Sequence, residues 1–479
     1  MRIIIAGAGR TGTQLARYLV QEKHEVSIIE PNEERARHAS NRIDCLVLHD
    51  EGNSLSALEE AGIAKADALV CVTESDEMNM IICGLAASRY PGLRKIARVR
   101  NDDYIKINQY SGDPNVLGID FFVHPDIEAA RAVQRALSHG ALGNILDFAG
   151  TSYELGSINV AEGSAFDGLQ IKDYRSLVKE ESLVTLIEKE SAGECILPSG
   201  SAVLEKGDRI HILAGQAQIK NIFRFAGLEE KPLRNIGIAG GGRIGMLVTE
   251  GILQYPERAK IQKEKNRPGF LALFHSFIPK TGRRVVIIEQ NYNVCKELAA
   301  RFPEALVLNE DISDESFVAE EQLDDLDLII TTTANQELNM ITAIYLKSRG
   351  VKRAIALVNS SGYETIARQL GVDVVISMQS VVVDSILSNL TGRRLREVHH
   401  IGDGTLEILE TEIKDDCPAV NKNIAEFKLS KGGLIMLVNR GETSFIPQGD
   451  YFFTSGDKII FMAKTESEAE LENFFGRLK

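Results

Sequence analysis

Short runs of nearly continuous Val, Ile and Leu alternate along this chain with stretches of helical period, and the series occurs twice. The first run, Arg2 to Ala6, leads straight into a glycine-rich turn, and Thr13 to Glu22 follows with amphipathic spacing. Further strands are read at Val26 to Glu30, Cys45 to Leu48, Ala68 to Thr73 and Lys95 to Val99. Strands apolar at almost every position belong to a parallel sheet covered by helices on both faces. The same order returns at Asn235 to Ala239, Val285 to Glu289, Ala305 to Leu308, Asp327 to Thr333 and Ala354 to Val358. Even the tripeptide Asn79-Met80-Ile81 comes back, as Asn339-Met340-Ile341. A repeat of this length predicts two Rossmann-like, doubly wound α/β domains with parallel sheets.

Each half carries a second repeated unit of different texture. Leu197-Pro198-Ser199-Gly200 through Gly207-Asp208 to Leu213 aligns without gaps on Ile446-Pro447-Gln448-Gly449 through Gly456-Asp457 to Met462. A P-x-G turn, a short strand, G-D and another strand predict a small α+β unit with a hairpin-like edge. The expected order is therefore large, small, large, small, with domains at 1–140, 141–230, 231–392 and 393–479. One segment, about 257–284, has no counterpart in the first half. It mixes Lys260, Lys263, Lys265, Arg267, Lys280, Arg283 and Arg284 with Phe270, Leu273, Phe274 and Phe277. It reads either as a surface insertion folded onto the sheet or as a contact with a membrane surface or membrane protein. The helix around Val123 to Leu137, and its repeat near Met378 to Leu390, would link each large domain to its small one.

Composition narrows the function. The 479 residues suffice for about three or four compact domains. A formal charge of -14 argues against a nucleic-acid binder, which needs a basic face to neutralise phosphates. No apolar run reaches the roughly 18 residues of a membrane span, and the N-terminus does not read as a secretory signal. Six cysteines are scattered without a C-x-x-C pair, which suits a reducing compartment, and all six are read as buried small hydrophobes. His399 and His400 are adjacent and would point apart, so no metal site is read there. His124, before Pro125, is read as a turn or helix-entry residue.

The chemistry lies in the turns. Arg2 to Gly12 reads R-I-I-I-A-G-A-G-R-T-G, and Asn235 to Gly245 reads N-I-G-I-A-G-G-G-R-I-G. In G-x-G-x-x-G the first glycine makes the bend, the second admits a pyrophosphate to the backbone N–H groups, and the third lets the helix approach the strand. Gly7, Gly9 and Gly12 take these roles first; Gly240, Gly242 and Gly245 take them again. Arg10 and Arg243 lie inside the turns, where a guanidinium can clamp phosphate oxygens. Glu30, roughly 23 residues beyond Gly7, is spaced to accept ribose hydroxyls. It would repel a 2′-phosphate, which favours NAD or an adenosine nucleotide over NADP. Glu289 repeats it. Arg98 and Arg100 become Leu357 and Asn359 in the second half, so weaker or different binding is expected there. No pattern for a proton relay, a nucleophile or a metal accompanies the turns, so no catalytic residue is assigned and a sensor is favoured over an enzyme. An NAD-dependent oxidoreductase of duplicated Rossmann form is the alternative, and a scaffold with vestigial sites is a third.

M-R-I-I-I-A-G-A-G-R-T-G, I-I-E at Glu30, V-T-E-S-D-E-M-N-M-I from Val72 and A-R-V-R-N from Ala97 resemble the peripheral regulatory subunit of Trk-type potassium uptake systems. That family is built from tandem RCK (also called KTN) domains, and the likeness spans the chain. It implies two Rossmann-like domains, each followed by a small α+β RCK C-terminal domain. It implies NAD(H) and ATP or ADP as ligands rather than reactants. It also implies a homo-oligomer, a tetramer giving a ring of RCK domains, which is cytoplasmic and held at the inner face of the cell membrane by a membrane-embedded potassium transporter subunit. Carried over by position, the first site would comprise Gly7, Ala8, Gly9, Arg10, Thr11, Glu30, Asp50, Thr73, Glu74 and Arg98. The second would comprise Gly240, Gly241, Gly242, Arg243, Ile244, Glu289, Glu310, Thr333 and Ala334. The departures from the family pattern are the segment at 257–284 and Leu357.

Overall fold

The computed structural model describes the chain apart from residues 105–115, 139, 142–144, 149–150, 191–193, 228–232, 265–282, 315–316, 318–319, 322, 391–399, 402–405, 428–431, 442, 465–466 and 476–479. Most of the segment at 257–284, and His399, thus lie outside the described residues.

The first large half begins with β1 (Arg2–Ala6), α1 (Arg10–Gln21), β2 (Glu25–Ile29), α2 (Glu33–Ser40), β3 (Leu46–Leu48) and α3 (Leu55–Glu60). It continues with β4 (Ala68–Cys71), α4 (Asp76–Arg89), β5 (Arg94–Arg98), β6 (Phe121–Val123) and α5 (Pro125–Ser138). Its six strands are parallel in the order β3-β2-β1-β4-β5-β6. The order reverses between β1 and β4, where the C-terminal strand ends of such a sheet leave a crevice. Helix starts are set locally. The Ser75 side chain accepts the Met78 N–H at 3.1 Å, and Asp76 and Glu77 sit in the first turn of α4 where the helix dipole favours them.

The first small part holds β7 (Ile145–Asp147), β8 (Tyr153–Asn159), α6 (Ile171–Leu177), β9 (Ser182–Glu188), β10 (Cys195–Ile196), β11 (Arg209–Gly215) and α7 (Ile219–Phe225). The second large half has β12 (Asn235–Ala239), α8 (Arg243–Glu264), β13 (Arg284–Ile288), α9 (Tyr292–Arg301), β14 (Leu306–Leu308) and β15 (Leu328–Thr331). It ends with α10 (Gln336–Arg349), β16 (Arg353–Val358), α11 (Ser361–Gln369), β17 (Val374–Ser377) and α12 (Met378–Leu390). Its sheet, β14-β13-β12-β15-β16-β17, repeats the first. The second small part has β18 (His400–Ile401), β19 (Leu406–Glu412), β20 (Gly433–Arg440), β21 (Thr443–Phe445), β22 (Lys458–Lys464) and α13 (Glu468–Phe475).

The repeats pair like with like, in two compact units. Met1–Gln134 and Leu233–Gly392 form one; Arg135–Pro232 and Arg393–Lys479 form the other. In the first unit, α12 leaves the second sheet and packs on α1 of the first half. Val382, Val383, Ile386 and Leu390 join Leu15 and Leu19 in one core. At about 1.5–3 kcal/mol for each fully buried side chain, this apolar seam outweighs any single hydrogen bond between the halves, worth about 1 kcal/mol. In the second unit both sheets are antiparallel, ordered β10-β9-β11-β8-β7 and β18-β19-β22-β20-β21. Leu155, Leu186 and Leu213 of one meet Leu406, Ile408 and Met462 of the other.

Four sequence expectations are corrected. Each large sheet has a sixth strand, Phe121–Val123 or Val374–Ser377, so Val123 ends a strand and the helix starts at Pro125. The first helix starts inside the glycine motif, at Arg10 rather than Thr13. The short strand after each P-x-G turn shrinks to one bridge, Gln170 with Val203 and Asn423 with Phe452. Cys45 and Cys195 are only half-buried, at the margins of their cores; the other four cysteines are buried. The repeated G-D pair is a turn anchor. Asp208 accepts Lys189 Nζ at 2.7 Å, and Asp457 accepts Arg440 Nε, Arg440 Nη2 and Tyr451 Oη, each at 2.7 Å.

Candidate functional site

The first glycine turn sits at the reversal point of its sheet, with its glycines constrained differently. Gly7 has φ +108°, a conformation that side chains resist, and a β-carbon there would also press on Thr73 N at 3.1 Å. A β-carbon on Gly12 would stand 1.9 Å from Gly7 O, so helix and turn touch only because it is absent. A β-carbon on Gly9 would meet nothing within 4 Å. The backbone is thus bare where a phosphate would approach, and tight where the turn must hold itself. The second turn repeats this, with φ +104° at Gly240, a 2.1 Å approach at Gly245 and open space at Gly242.

Behind each turn stands its glutamate. Glu30 is 4% exposed and accepts the Ala8 N–H at 2.6 Å and the Asn32 N–H at 3.0 Å. Glu289 does the same for Gly241 at 2.8 Å and Asn291 at 2.7 Å. These carboxylates link the glycine turn to the end of the second strand. Asp50 and Glu310 lie exposed just beyond the third strands.

The repeated asparagines explain the repeated N-M-I. Buried Asn79 accepts Thr73 N–H at 2.8 Å and Thr73 Oγ1 at 2.7 Å, and donates to Arg98 O at 2.8 Å. It ties the loop after β4 to β5, fixing Thr73 and Arg98 beside the glycine turn. Asn339 ties Thr333 to Leu357 in the same way, at 2.9, 2.7 and 3.0 Å.

In front of the first turn opens a cavity of about 1160 Å³. Ala8, Gly9, Arg10, Thr11, Glu74 and Arg98, all named from sequence, line it. Gly7, Gly12, Glu30 and Thr73 form the turn and its supports; Asp50 is not among the lining residues. Sequence reasoning missed Arg35 and His38 on α2, and the whole far wall, which Asn359, Met378, Gln379 and Val382 supply from the second half. Gln379 Nε2 donates to Arg10 O at 2.7 Å, so the two halves meet at the turn itself. No local pattern announces such a wall, because it exists only through the pairing of the repeats.

Four arginines, Arg10, Arg35, Arg98 and Arg100, line the cavity with three carboxylates, Glu34, Glu74 and Asp126. Arg98 donates to Thr73 O at 2.6 Å, while its buried Nε has no partner. Burial, and then the neighbouring Arg100, push this guanidinium down from its ordinary value. A half-buried guanidinium is a setting in which an anionic ligand gains more than at a fully hydrated one. Arg35 meets Glu74 at 2.9 Å. The donor set therefore suits a nucleotide pyrophosphate: bare backbone at Gly9, a helix N-terminus, and guanidinium groups around it.

The second cleft keeps the turn and loses the charge. The matching registers put Val294 where Arg35 stands, Leu357 for Arg98, Ala334 for Glu74 and Asn359 for Arg100. Ile244 follows Arg243 at the start of α8. The Arg243 side chain is directed at the first half: Nη1 donates to Arg100 O at 2.7 Å and Nη2 to Asp102. Nη2 also lies 2.6 Å from Nε2 of His124, and Nε 3.5 Å from Asp126 Oδ2. His124 is a buried helix-entry residue, its imidazole held below its ordinary value by burial and then by Arg243. Among the described residues no group of three or more His, Cys, Asp or Glu is placed to hold a metal ion, and no helix is long and apolar enough to cross a membrane.

Paired Rossmann halves with one charged cleft, joined in sequence to paired antiparallel units, define a tandem RCK-type protein. The fold is also that of the GsuK channel, at a TM-score of 0.53 and 19% identity over 98% of this chain and 78% of that one. The GsuK channel bound to NAD gives 0.51 at 17% identity, over 98% and 78%. The TrkA-N domain profile matches residues 3–125 and 276–378, and the TrkA-C domain profile matches 408–476. The chain belongs to the TrkA family. The Trk system potassium uptake protein TrkA of Azorhizobium caulinodans is 26% identical over 476 residues, covering 99% of this chain and 98% of that protein. TrkA homolog 1 of Methanosarcina mazei is 26% identical over 481 residues, covering 99% and 100%. The TrkA homolog of Archaeoglobus fulgidus is 27% identical over 477 residues, covering 99% and 100%.

Proposed function

We propose that this chain is the nucleotide-binding regulatory subunit of a Trk-type potassium uptake system, and not an enzyme. It reads NAD(H), ATP or ADP and passes the state of its first cleft to a membrane-embedded potassium transporter subunit. The observation that carries this reading is the first cavity, lined by the bare Gly9 backbone together with Arg10, Arg35, Arg98 and Arg100. The name borne by relatives along the whole chain supports the transporter partner. The pyrophosphate would lie on Gly7 to Thr11, with Arg10 and Arg98 on its oxygens and Glu30 toward the ribose; Thr73, Glu74 and Asp50 border the site. Gly240 to Ile244, Glu289, Glu310, Thr333 and Ala334 form the second, weaker cleft. The four domains run 1–140, 141–230, 231–392 and 393–479, and copies assemble as a tetrameric ring on the cytoplasmic face of the membrane.

Transmission follows from the wall of the cavity. A ligand seated on the turn at Arg10 also touches Gln379 at the start of α12, whose apolar face is locked onto α1. Opening or closing the cleft therefore moves the second half. A ligand shifts that balance only by its difference in affinity between the two arrangements. A triphosphate, with more charge for Arg10 and Arg98, acts differently from a diphosphate. The test is rubidium uptake into proteoliposomes holding a Trk-type membrane subunit, with and without this chain. Uptake that depends on the chain and differs between ADP and ATP is expected; uptake indifferent to the chain contradicts the reading.

A further inference from the structure

We propose that the second glycine turn is a latch between the two Rossmann halves, and that the chain takes one phosphate-bearing nucleotide, in the first cleft. This rests on the nucleotide reading of that cleft and assigns a different task to its repeat.

The two turn arginines occupy equivalent sequence positions but unlike surroundings. All three guanidinium nitrogens of Arg243 face groups of the first half: Arg100 O, Asp102, His124 and Asp126. The guanidinium of Arg10 lines the first cavity, and among the described residues no hydrogen bond or ion pair engages it. The cause is in the partner positions. Arg98 pairs with Val123 in the first sheet and Leu357 with Ile376 in the second, so His124 corresponds to Ser377 and Asp126 to Gln379. Counting on from the same pair, Asp102 corresponds to Ser361. The first half thus offers Arg243 two carboxylates and an imidazole, whereas the second offers Arg10 two serines and a glutamine. One arginine is captured and the other is left for a ligand.

Capture takes the turn cation from a second cleft that already has Val294, Leu357 and Asn359 for three arginines. A pyrophosphate there would meet the bare turn and a helix N-terminus, with the turn guanidinium engaged elsewhere and Glu289 at its side. Capture also serves the first cleft. Asp126 lines that cavity, and Arg243 offsets its charge, and that of Asp102, close to where phosphates would lie. Arg243 is therefore a positioning residue for the neighbouring site.

The full chain should be titrated calorimetrically with ADP, as wild type and as R243A, R243K, D102N/D126N and R10A. One ADP per chain is expected for the wild type. R243A should keep that stoichiometry with affinity lowered about tenfold by the bared carboxylates, and R243K should recover part of it. D102N/D126N frees Arg243 and should add a second, weaker ADP. Two ADP per chain in the wild type, with R243A removing one, would overturn the latch. Amide exchange keeps this distinct from failure of the nucleotide reading. Absence of ADP binding, or ADP binding indifferent to R10A, sinks that reading and the stoichiometry with it. Faster exchange in R243A at residues 98–104 would even then support the latch, and unchanged exchange would refute it.

Discussion

Two alanine substitutions, three positions apart, should separate holding the turn from holding the ligand. At Gly12 the new β-carbon would lie 1.9 Å from Gly7 O, against an ordinary C···O separation of about 3.3 Å. Turn or helix must yield by roughly 1.4 Å. The turn is pinned by Gly7 N–H to Ile29 O and by Val72 N–H to Ala6 O, both 2.9 Å. Overpacking of this kind costs about 3 kcal/mol, which lowers the melting midpoint by roughly 6–12 °C. Gly9 differs in every respect. Its φ of -67° and ψ of -173° suit alanine, and the added methyl meets nothing within 4 Å. Its effect on stability should stay within about 0.5 kcal/mol. The methyl does occupy the space over the N–H groups, so ADP affinity should fall at least about tenfold, or 1.4 kcal/mol. Differential scanning fluorimetry and calorimetric titration of both variants give the two readouts. An unchanged ADP affinity in Gly9→Ala would refute the seating of phosphate on this turn, and a fully stable Gly12→Ala would refute the packing argument.

Arg98→Leu, which installs the residue of the second half, should lower ADP affinity about 10- to 100-fold, the worth of charge-assisted hydrogen bonds of about 1.5–3 kcal/mol; titration should show this with the melting midpoint lowered by only a few degrees (~2–4 °C), since one hydrogen bond, to Thr73 O, is lost. Asn79→Ala strips the loop of its ties and should cost about 3 kcal/mol in denaturant unfolding, as should Asn339→Ala; only the first should also weaken ADP. In the second unit, burial alone would raise the Asp457 carboxyl, but hydrogen bonds from Arg440 and Tyr451 outweigh it and hold the group below its ordinary value. A depressed folded value means stability that is complete above the unfolded value of about 3.9 and lost as pH falls through the folded one. Wild type should therefore lose stability in acid below about pH 4, whereas Asp457→Asn should start lower and vary less with pH, as followed by circular dichroism.

The parts of the fold that sequence revealed are those with local causes. Four strands per large half stood out because they are largely buried on both faces, the edge strands β3 and β14 by their apolar composition although Leu46 and Leu306 are exposed, and the glycine turn because its backbone leaves no choice of residue at Gly7 and Gly12. The sixth strands, Phe121–Val123 and Val374–Ser377, did not stand out. They are short, and the helix that follows each masks its end. Asn79 was visible as a repeated residue without a role, since its partners, Thr73 and Arg98, are joined only when β4 and β5 pair. The order large, small, large, small gave no hint that like would pair with like. That pairing needs the apolar face of α12 to find α1, and it creates the wall at Asn359 and Gln379. Arg243 was read by analogy with Arg10; its different direction follows from Asp102, His124 and Asp126, which lie more than a hundred positions away in the chain.

The central claim is that the first cleft binds an adenosine nucleotide and rejects a 2′-phosphate. Titration of the purified chain with ADP, ATP, NADH and NADPH, alongside Arg10→Ala and Glu30→Arg, tests it most directly. Binding of ADP, ATP and NADH but not NADPH, weakened by both substitutions, is expected. Binding of NADH alone, indifferent to adenine mononucleotides, would contradict the claim and favour a duplicated NAD-dependent oxidoreductase.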